Sequence, residues 1–297
     1  MTIGKPGQAW GEAERAEWRS EQTVKRSYVD DLVSVIDRLR PRLDVVQYGS
    51  LEYDGQQYPL YALKNRWKDE LPAVLVTGGV HGYETSGVHG ALQFAEQHAA
   101  AFSGRVNLMI APCVSPWAYE RIHRWNRNAV DPNRSFREGS QAPEAAALMG
   151  LLAPHRDRFL VHIDLHETTD SDETEFRPAL AARDGKQSEP EEIPDGFYVV
   201  GDLENPQPEF QKALIAAVAK VTHIAPSDAR GKLIGTPVVS PGVISYAVKK
   251  LGLCIGVTNA RYTSTTEVYP DSPRVTPKQC NEVQVTAVLA AIDFVLR

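Results

Sequence analysis

Two histidines and a glutamate carry the chemistry most plainly written in this sequence. His81 and Glu84 stand three residues apart in LPAVLVTGGVHGYE, residues 71–84, and His166 ends the run RFLVHIDLH, residues 158–166. Imidazole nitrogen and carboxylate oxygen suit zinc, and three protein ligands leave a coordination position open for water or substrate. A histidine and a glutamate at this spacing arise by accident in many chains. A second histidine closing a second apolar run lifts the pattern above accident.

Between those runs lies RIHRWNRNAVDPNRSF, residues 121–136, which crowds Arg121, Arg124, Arg127 and Arg134 with Asn126, Asn128 and Asn133. Guanidinium forks bind carboxylates through paired hydrogen bonds, so this loop reads either as an anion clamp or as a basic surface loop paired with local acids. His162 and Asp164 alternate with His166 along one strand and face the same way. Asp164 fits a partner that orients a ligand, and His162 replaces His166 only if the register shifts. His89, beyond Glu84 on a helix, reads as a packed or hydrogen-bonded side chain.

The elements that must hold these groups follow from the apolar pattern. Residues 73–76, Ala-Val-Leu-Val, read as a strand covered on both faces, and Gly78 and Gly79 end it in a turn that delivers His81 and Glu84 into a helix. Further strands are expected at 45–48 and 58–63, around an Asp54-Gly55 hairpin turn, and at 106–111, 158–166, 197–200 and 253–258. Helices are expected from Ser27 to Pro41 and at 85–102, 144–152, 209–221, 242–251 and 276–296. Strands alternating with helices over the whole length imply an α/β protein with a mixed, mostly parallel sheet and helices on both faces. Residues 1–25 lack pattern and read as a mobile arm or loose covering, and residues 26–297 as a single catalytic domain. Residues 168–195 are rich in acids. They read as a solvated loop or as an acidic lid favouring cationic substrates.

Composition narrows the function classes. Thirty-two basic against 38 acidic residues leave a formal charge of −6, which gives no pull toward nucleic acid or anionic membrane. The N-terminus has no apolar run of a secretory signal, and no stretch reaches the length of a membrane span. Cys113, Cys254 and Cys280 form no metal-type spacing. These features imply a cytoplasmic enzyme without structural disulfides.

From about residue 25 onward the pieces together resemble the zinc carboxypeptidase family. His81 and Glu84 match its His-x-x-Glu after a glycine-ended strand, and Asp164-Leu165-His166 matches its third ligand. Arg124 through Phe136 matches Arg-x-Asn-x-x-Gly-x-Asp-x-Asn-Arg-Asn-Phe, with Ala129 and Ser135 as departures. The resemblance implies a zinc-dependent metallocarboxypeptidase that hydrolyses the C-terminal amide of peptides through metal-activated water. His81, Glu84 and His166 would hold zinc, Arg124 would stabilise the oxyanion, and Asn133 and Arg134 would bind the substrate carboxylate. Ile244 would stand at the specificity pocket, and Pro237 falls where an aromatic hydroxyl is common. For the general base the resemblance implies a late-strand glutamate, matched by Glu267. An alternative alignment puts Asn259 there, and Glu173 or Glu175 could serve only if the acidic segment folds inward. The related aspartoacylase and succinylglutamate desuccinylase branch shares these motifs and implies instead deacylation of small N-acyl amino acids. That branch usually adds a β-rich segment after the catalytic glutamate, for which little chain remains. An inactive peptide-binding relative is the third reading.

Overall fold

The computed structural model describes residues 3–297. Its strands are β1 (Asp44–Tyr53), β2 (Gln56–Lys64), β3 (Ala73–Gly78), β4 (Asn107–Ala111), β5 (Phe159–Glu167), β6 (Tyr198–Asp202), β7 (Lys232–Leu233), β8 (Thr236–Pro237), β9 (Val243–Tyr246) and β10 (Tyr262–Val268). Strands β7 and β8 form a separate two-residue hairpin, and the other eight make one sheet in the order β1-β2-β4-β3-β5-β10-β6-β9. The centre, from β4 through β3 and β5 to β10, is parallel. The β1-β2 hairpin joins one side antiparallel, while β6 runs antiparallel to β10 and β9 parallel to β6. This is the expected mixed, mostly parallel sheet.

Successive residues of a strand point to opposite faces, and the sheet divides its core accordingly. Val74, Val76, Val161, Ile163 and Leu165 pack with helices α3 (Thr85–Gln97), α7 (Pro208–Val218) and α9 (Pro277–Val295). Ala73, Leu75 and Phe159 pack with α5 (Pro143–Leu152) on the other face. His162, Asp164 and His166 alternate with the first set and so look toward the α5 side. The interior contacts of β10 agree: Thr266 bonds Gln284 of α9 and Ser264 bonds Gln211 of α7, leaving Thr265 and Glu267 on the face of His166.

Two glycines decide how the chain leaves β3. Gly79 takes φ +59°, a left-handed conformation that strains other residues. A Cβ at Gly82 would lie 2.0 Å from the carbonyl carbon of Ala118 in the short helix α4 (Pro116–Arg121). The loop carrying His81 is thus pressed against backbone.

Tertiary pairing overrides local pattern in three places. Residues 242–251, expected to be helical, form β9 and then only the turn of α8 (Val248–Leu251), because Val243 and Ile244 pair with Val199 and Val200. Residues 253–258, expected as a strand, make a single 3₁₀ turn at Cys254–Gly256. The edge of β5 they would need is taken by β10, which pairs from Tyr262 to Val268. The acidic segment is a solvated loop only in its second half, residues 186–195: before it, one irregular turn over Asp172–Phe176 leads into α6 (Arg177–Arg183), with Asp172 and Phe176 buried.

The N-terminal segment packs as a covering rather than hanging as a mobile arm. Helix α1 (Glu12–Glu21) buries Trp18, whose ring centroid lies 5.7 Å from that of Trp125 and 6.1 Å from that of Trp117. Trp10 is buried against Trp125 at 6.2 Å, and its backbone N–H donates to the carbonyl of Arg183. Aromatic anchors of this size bury enough surface to hold a helix that has no other apolar stripe. Among the described residues no helix is long and apolar enough to cross a membrane.

One buried charge is not compensated by geometry. Glu144, in the first turn of α5, is buried, and neither carboxylate oxygen meets a donor in hydrogen-bonding geometry. Burial lifts its carboxyl to about 7, with its own backbone N–H and the nearby Asn126 amide opposing. A folded-state value above the unfolded one means the folded protein holds the proton more tightly, so stability falls as pH rises from the unfolded value of 4.5 to about 7. Glu144→Gln should therefore stabilise the protein by roughly 2–3 kcal/mol at pH 8 and by little at pH 4.5, read from urea melts at both pH values. Equal effects at the two pH values would remove the buried charge as the cause.

Candidate active site

Strand β3 ends at Gly78, and the turn at Gly79 brings His81 and Glu84 to the C-terminal edge of the parallel strands, where β5 ends with His166. Ligand-type atoms of these three buried residues lie within 4.8 Å of one another. His81 Nδ1 stands 2.7 Å from Glu84 Oε1, and His166 Nδ1 stands 2.8 Å from Glu84 Oε2. The second contact is a distance without hydrogen-bond geometry, so Glu84 Oε2 is a buried oxygen with no donor. Helix α3 is tied to β5 by the Glu167 carboxylate, which accepts from the backbone N–H groups of Thr85 at 3.1 Å and Ser86 at 2.7 Å.

A layer of carboxylates stands behind the imidazoles. His81 Nε2 lies 3.0 Å from Asp131 Oδ1, and His166 Nε2 lies 2.7 Å from Asp164 Oδ2. A carboxylate on Nε2 places the proton there and leaves the Nδ1 lone pair turned toward Glu84, the tautomer a metal ligand requires. Asp164 is itself held by the hydroxyl of Thr77 at 2.6 Å, and the same hydroxyl lies 2.9 Å from His162 Nε2. Burial works to raise the Glu84 carboxyl, but His166 and His81 outweigh it and hold it at about 2. Burial likewise disfavours charge on His166, yet Asp164 and Glu84 win and raise it well above its ordinary value. Two imidazoles and an orphaned carboxylate oxygen facing one another are a donor set that fits a divalent ion such as zinc.

Glu267 pairs in register with His166 across β5 and β10. Its Oε2 accepts from the hydroxyl of Thr168 at 2.9 Å, and that hydroxyl also meets the hydroxyl of Tyr198 at 2.7 Å. Burial lifts the Glu267 carboxyl to about 7, with His166 pulling the other way. None of the three rival residues lines the cavity that holds Glu267. Asn259 is exposed and bonds Lys249 and Asp157, while Glu173 pairs with Arg177, and Glu175 is 59% exposed beside His123.

The candidate ligands and Glu267 open into one cavity of about 480 Å³, lined also by Arg124, Asn133 and Arg134. Arg124 reaches Asp131 at 3.2 Å and Asp172 at 3.1 Å. Burial disfavours its charge, but Asp131, Tyr83 and Asp172 more than restore it. Asn133 turns its side-chain oxygen to the backbone N–H of Cys254 at 2.7 Å, which fixes the amide, and Arg134 donates to the Asn133 carbonyl. Ile244, expected at the specificity pocket, is fully buried among Tyr198, Val200 and Leu233 behind the wall. Its strand neighbour Tyr246, with Ile234 and Val200, lines the cavity instead. The expected acidic lid is likewise corrected: Asp172 is consumed by Tyr83 and Arg124, and Glu173 and Glu191 by Arg177. The cationic preference it implied loses its basis.

Sequence reasoning did not single out Asp131, Asp172, Tyr198 or Tyr246. Asp131 was visible as the acid of the Arg124–Phe136 pattern, and the others become neighbours only when β5, β6, β9 and β10 assemble.

Residues 70–192 match the profile of the succinylglutamate desuccinylase/aspartoacylase catalytic domain. No curated protein matches this sequence. Among solved structures, a protein described as an inferred metallopeptidase from Shewanella amazonensis SB2B is 21% identical, with a TM-score of 0.65 over 92% of this chain and 98% of its own. One from Shewanella baltica OS155 is 20% identical, with a TM-score of 0.65 over 98% and 99%. A metallo-carboxypeptidase from Burkholderia cenocepacia is 14% identical, with a TM-score of 0.60 over 90% and 68%. The fold is carboxypeptidase-like. The profile match covers less than half of the chain, and the likeness to these structures is one of fold.

If Asp164 orients His166, Asp164→Asn should lower zinc affinity by roughly 10- to 100-fold, measured by competition with a chelator. Unchanged affinity in a folded variant would count against that role.

Proposed function

We propose that the protein is a zinc-dependent hydrolase that cleaves an amide bond next to a free carboxylate, acting as a metallocarboxypeptidase on the C-terminal residue of peptides. One observation carries this reading: His81, Glu84 and His166 converge at the sheet edge with Glu267 one strand away, in a cavity that also holds Arg124, Asn133 and Arg134. His81, Glu84 and His166 would hold the ion, which supplies Lewis acidity and lowers the pKa of a water to roughly 7.

The chain's own groups account for the remaining steps. Glu267 receives a proton from the attacking water and passes it to the leaving amine, and a carboxyl value near neutrality suits both transfers. Thr168 holds Glu267 Oε2, so the other oxygen is free to face the cavity. Arg124, locked by Asp131 and Asp172, offers its charge to the oxyanion without reorganising. Arg134, which makes no ion pair with a carboxylate among the described residues, binds the substrate carboxylate beside the fixed Asn133 amide.

A second reading is favoured by the profile match over residues 70–192: the acyl group removed is small and the substrate is an N-acyl amino acid. Both readings require the free carboxylate and the same machinery. Comparing turnover of a C-terminally free peptide, its amidated form and N-acetyl-aspartate separates them.

Glu267→Gln should keep its zinc and lose on the order of a hundredfold or more in kcat. Substantial turnover in that variant would remove Glu267 from the reaction. Arg134→Met should raise KM for substrates with a free carboxylate by roughly tenfold or more, since a charge-assisted pair contributes about 1.5–3 kcal/mol. An equal effect on amidated substrates would sink the carboxylate clamp.

A further inference from the structure

We propose that Thr77 is a positioning residue for the metal centre: its hydroxyl, saturated by His162, Asp164 and Cys254, locks the Asp164 carboxylate that turns His166 toward the ion. The inference rests on the reading of His81, Glu84 and His166 as metal ligands and extends it to a buried hub that touches none of the three directly except through Asp164.

Thr77, on β3, pairs in register with Asp164 on β5, and the side chains of Thr77, His162, Asp164 and Cys254 are all fully buried. Four polar side chains out of water must satisfy one another. A threonine hydroxyl has one proton to give and two lone pairs to fill. Its proton goes to Asp164 Oδ1 at 2.6 Å, because an ionised carboxylate only accepts. The contact with His162 Nε2 at 2.9 Å then runs the other way, with the imidazole N–H donating to the hydroxyl oxygen. His162 Nδ1 agrees. It has no partner in hydrogen-bonding geometry, and a lone pair left unpaired in the interior is tolerated better than an unpaired N–H. The Cys254 thiol donates to the second lone pair of Thr77 at 3.7 Å, so the hydroxyl has no capacity left.

Asp164 is therefore held through both oxygens, Oδ1 by Thr77 and Oδ2 by His166 Nε2 at 2.7 Å. A carboxylate held at one oxygen turns about its last torsion with little resistance, since that torsion is broad. Pinned at both, Asp164 fixes the direction in which His166 donates, and with it the direction of the Nδ1 lone pair. Cys254 is fixed in its turn by its backbone N–H, which donates to Asn133 Oδ1 at 2.7 Å.

Ligand-type atoms of His162, Asp164 and Cys254 also lie within 4.8 Å of one another, which is the spacing of a second metal site. The Thr77 hydroxyl stands among them and bonds all three, so the hub accounts for the cluster without an ion.

The test is the zinc affinity of the full chain, measured by competition with a chelator, together with the visible absorption of the protein loaded with cobalt(II). Thr77→Val keeps the shape of the side chain and should weaken zinc binding roughly tenfold and shift the cobalt bands, whereas Thr77→Ser keeps the hydroxyl and should restore most of the affinity. In an Asp164→Ala background Thr77→Val should weaken zinc binding no further, because its effect passes through Asp164. His162→Leu removes one of the three bonds and leaves Thr77 in place, so it serves should Thr77→Val fail to fold. It should weaken binding roughly threefold, and that loss should also disappear in the Asp164→Ala background. Unchanged affinity in these variants, or losses that simply add to that of Asp164→Ala, overturns the positioning role. A second zinc ion per chain that disappears in Cys254→Ala overturns it as well, by making the three donors ligands. A wild-type chain that binds no zinc overturns the proposed function, and the hub's role with it.

Discussion

The arrangement depends on one electrostatic balance: the Glu84 carboxylate, out of water, stands between two imidazoles whose far nitrogens rest on Asp131 and Asp164. Removing a carboxylate from water is expensive, and it persists only where positive charge or donors meet it. Here two imidazole Nδ1 atoms face it and leave Oε2 without a donor, while the two aspartates on the far nitrogens fix how those rings are turned. A divalent ion satisfies the same demand more fully, which is why a cluster of this kind reads as a metal centre rather than as a core ion pair.

That balance constrains the architecture around it. The Gly79 turn and the contact of Gly82 with Ala118 set where His81 emerges, and the Glu167 carboxylate on the α3 amides sets where Glu84 stands relative to His166. The loop after α4 supplies Asp131, so the arginine-rich segment is bound to the cluster through the partner of His81 and not merely lying beside it. Arg124 continues the chain of contacts to Asp172, and through it to Tyr83. Charges in this wall are therefore preorganised by one another, at the edge of a sheet whose parallel centre is the usual place for a ligand crevice.

The covering elements have a separate task. Of their own residues helix α1 buries only Trp18 and α6 buries none, and both are seated through Trp10, Trp18 and Phe176 on the aromatic cluster around Trp125 and His123. Through them Arg15, Arg177 and Arg183 reach the cavity, which closes what would otherwise be an open groove into a pocket of about 480 Å³. A pocket of that volume suits a small ligand or a chain end better than the middle of a polypeptide.

Local sequence determined a good deal. The apolar run before Gly78 and Gly79, the alternation of His162, Asp164 and His166, and the Asp54-Gly55 turn each encode their geometry within a few residues, since strand periodicity and glycine dihedrals are local properties. The α/β class and the convergence of His81, Glu84 and His166 were legible for that reason. Residues 242–258 were not, because a branched apolar run becomes strand or turn according to which sheet edge is free, and β10 had already taken the edge beside β5. The same holds for the site. That Glu267 stands in register with His166, that Ile244 is hidden while Tyr246 lines the wall, and that Asp172, Glu173 and Glu191 are paired with arginines depend on strand order and packing. Which groups carry chemistry is a matter of residue type and short spacing. Which of them meet, and with what charge left over, is decided only when distant segments share one desolvated space.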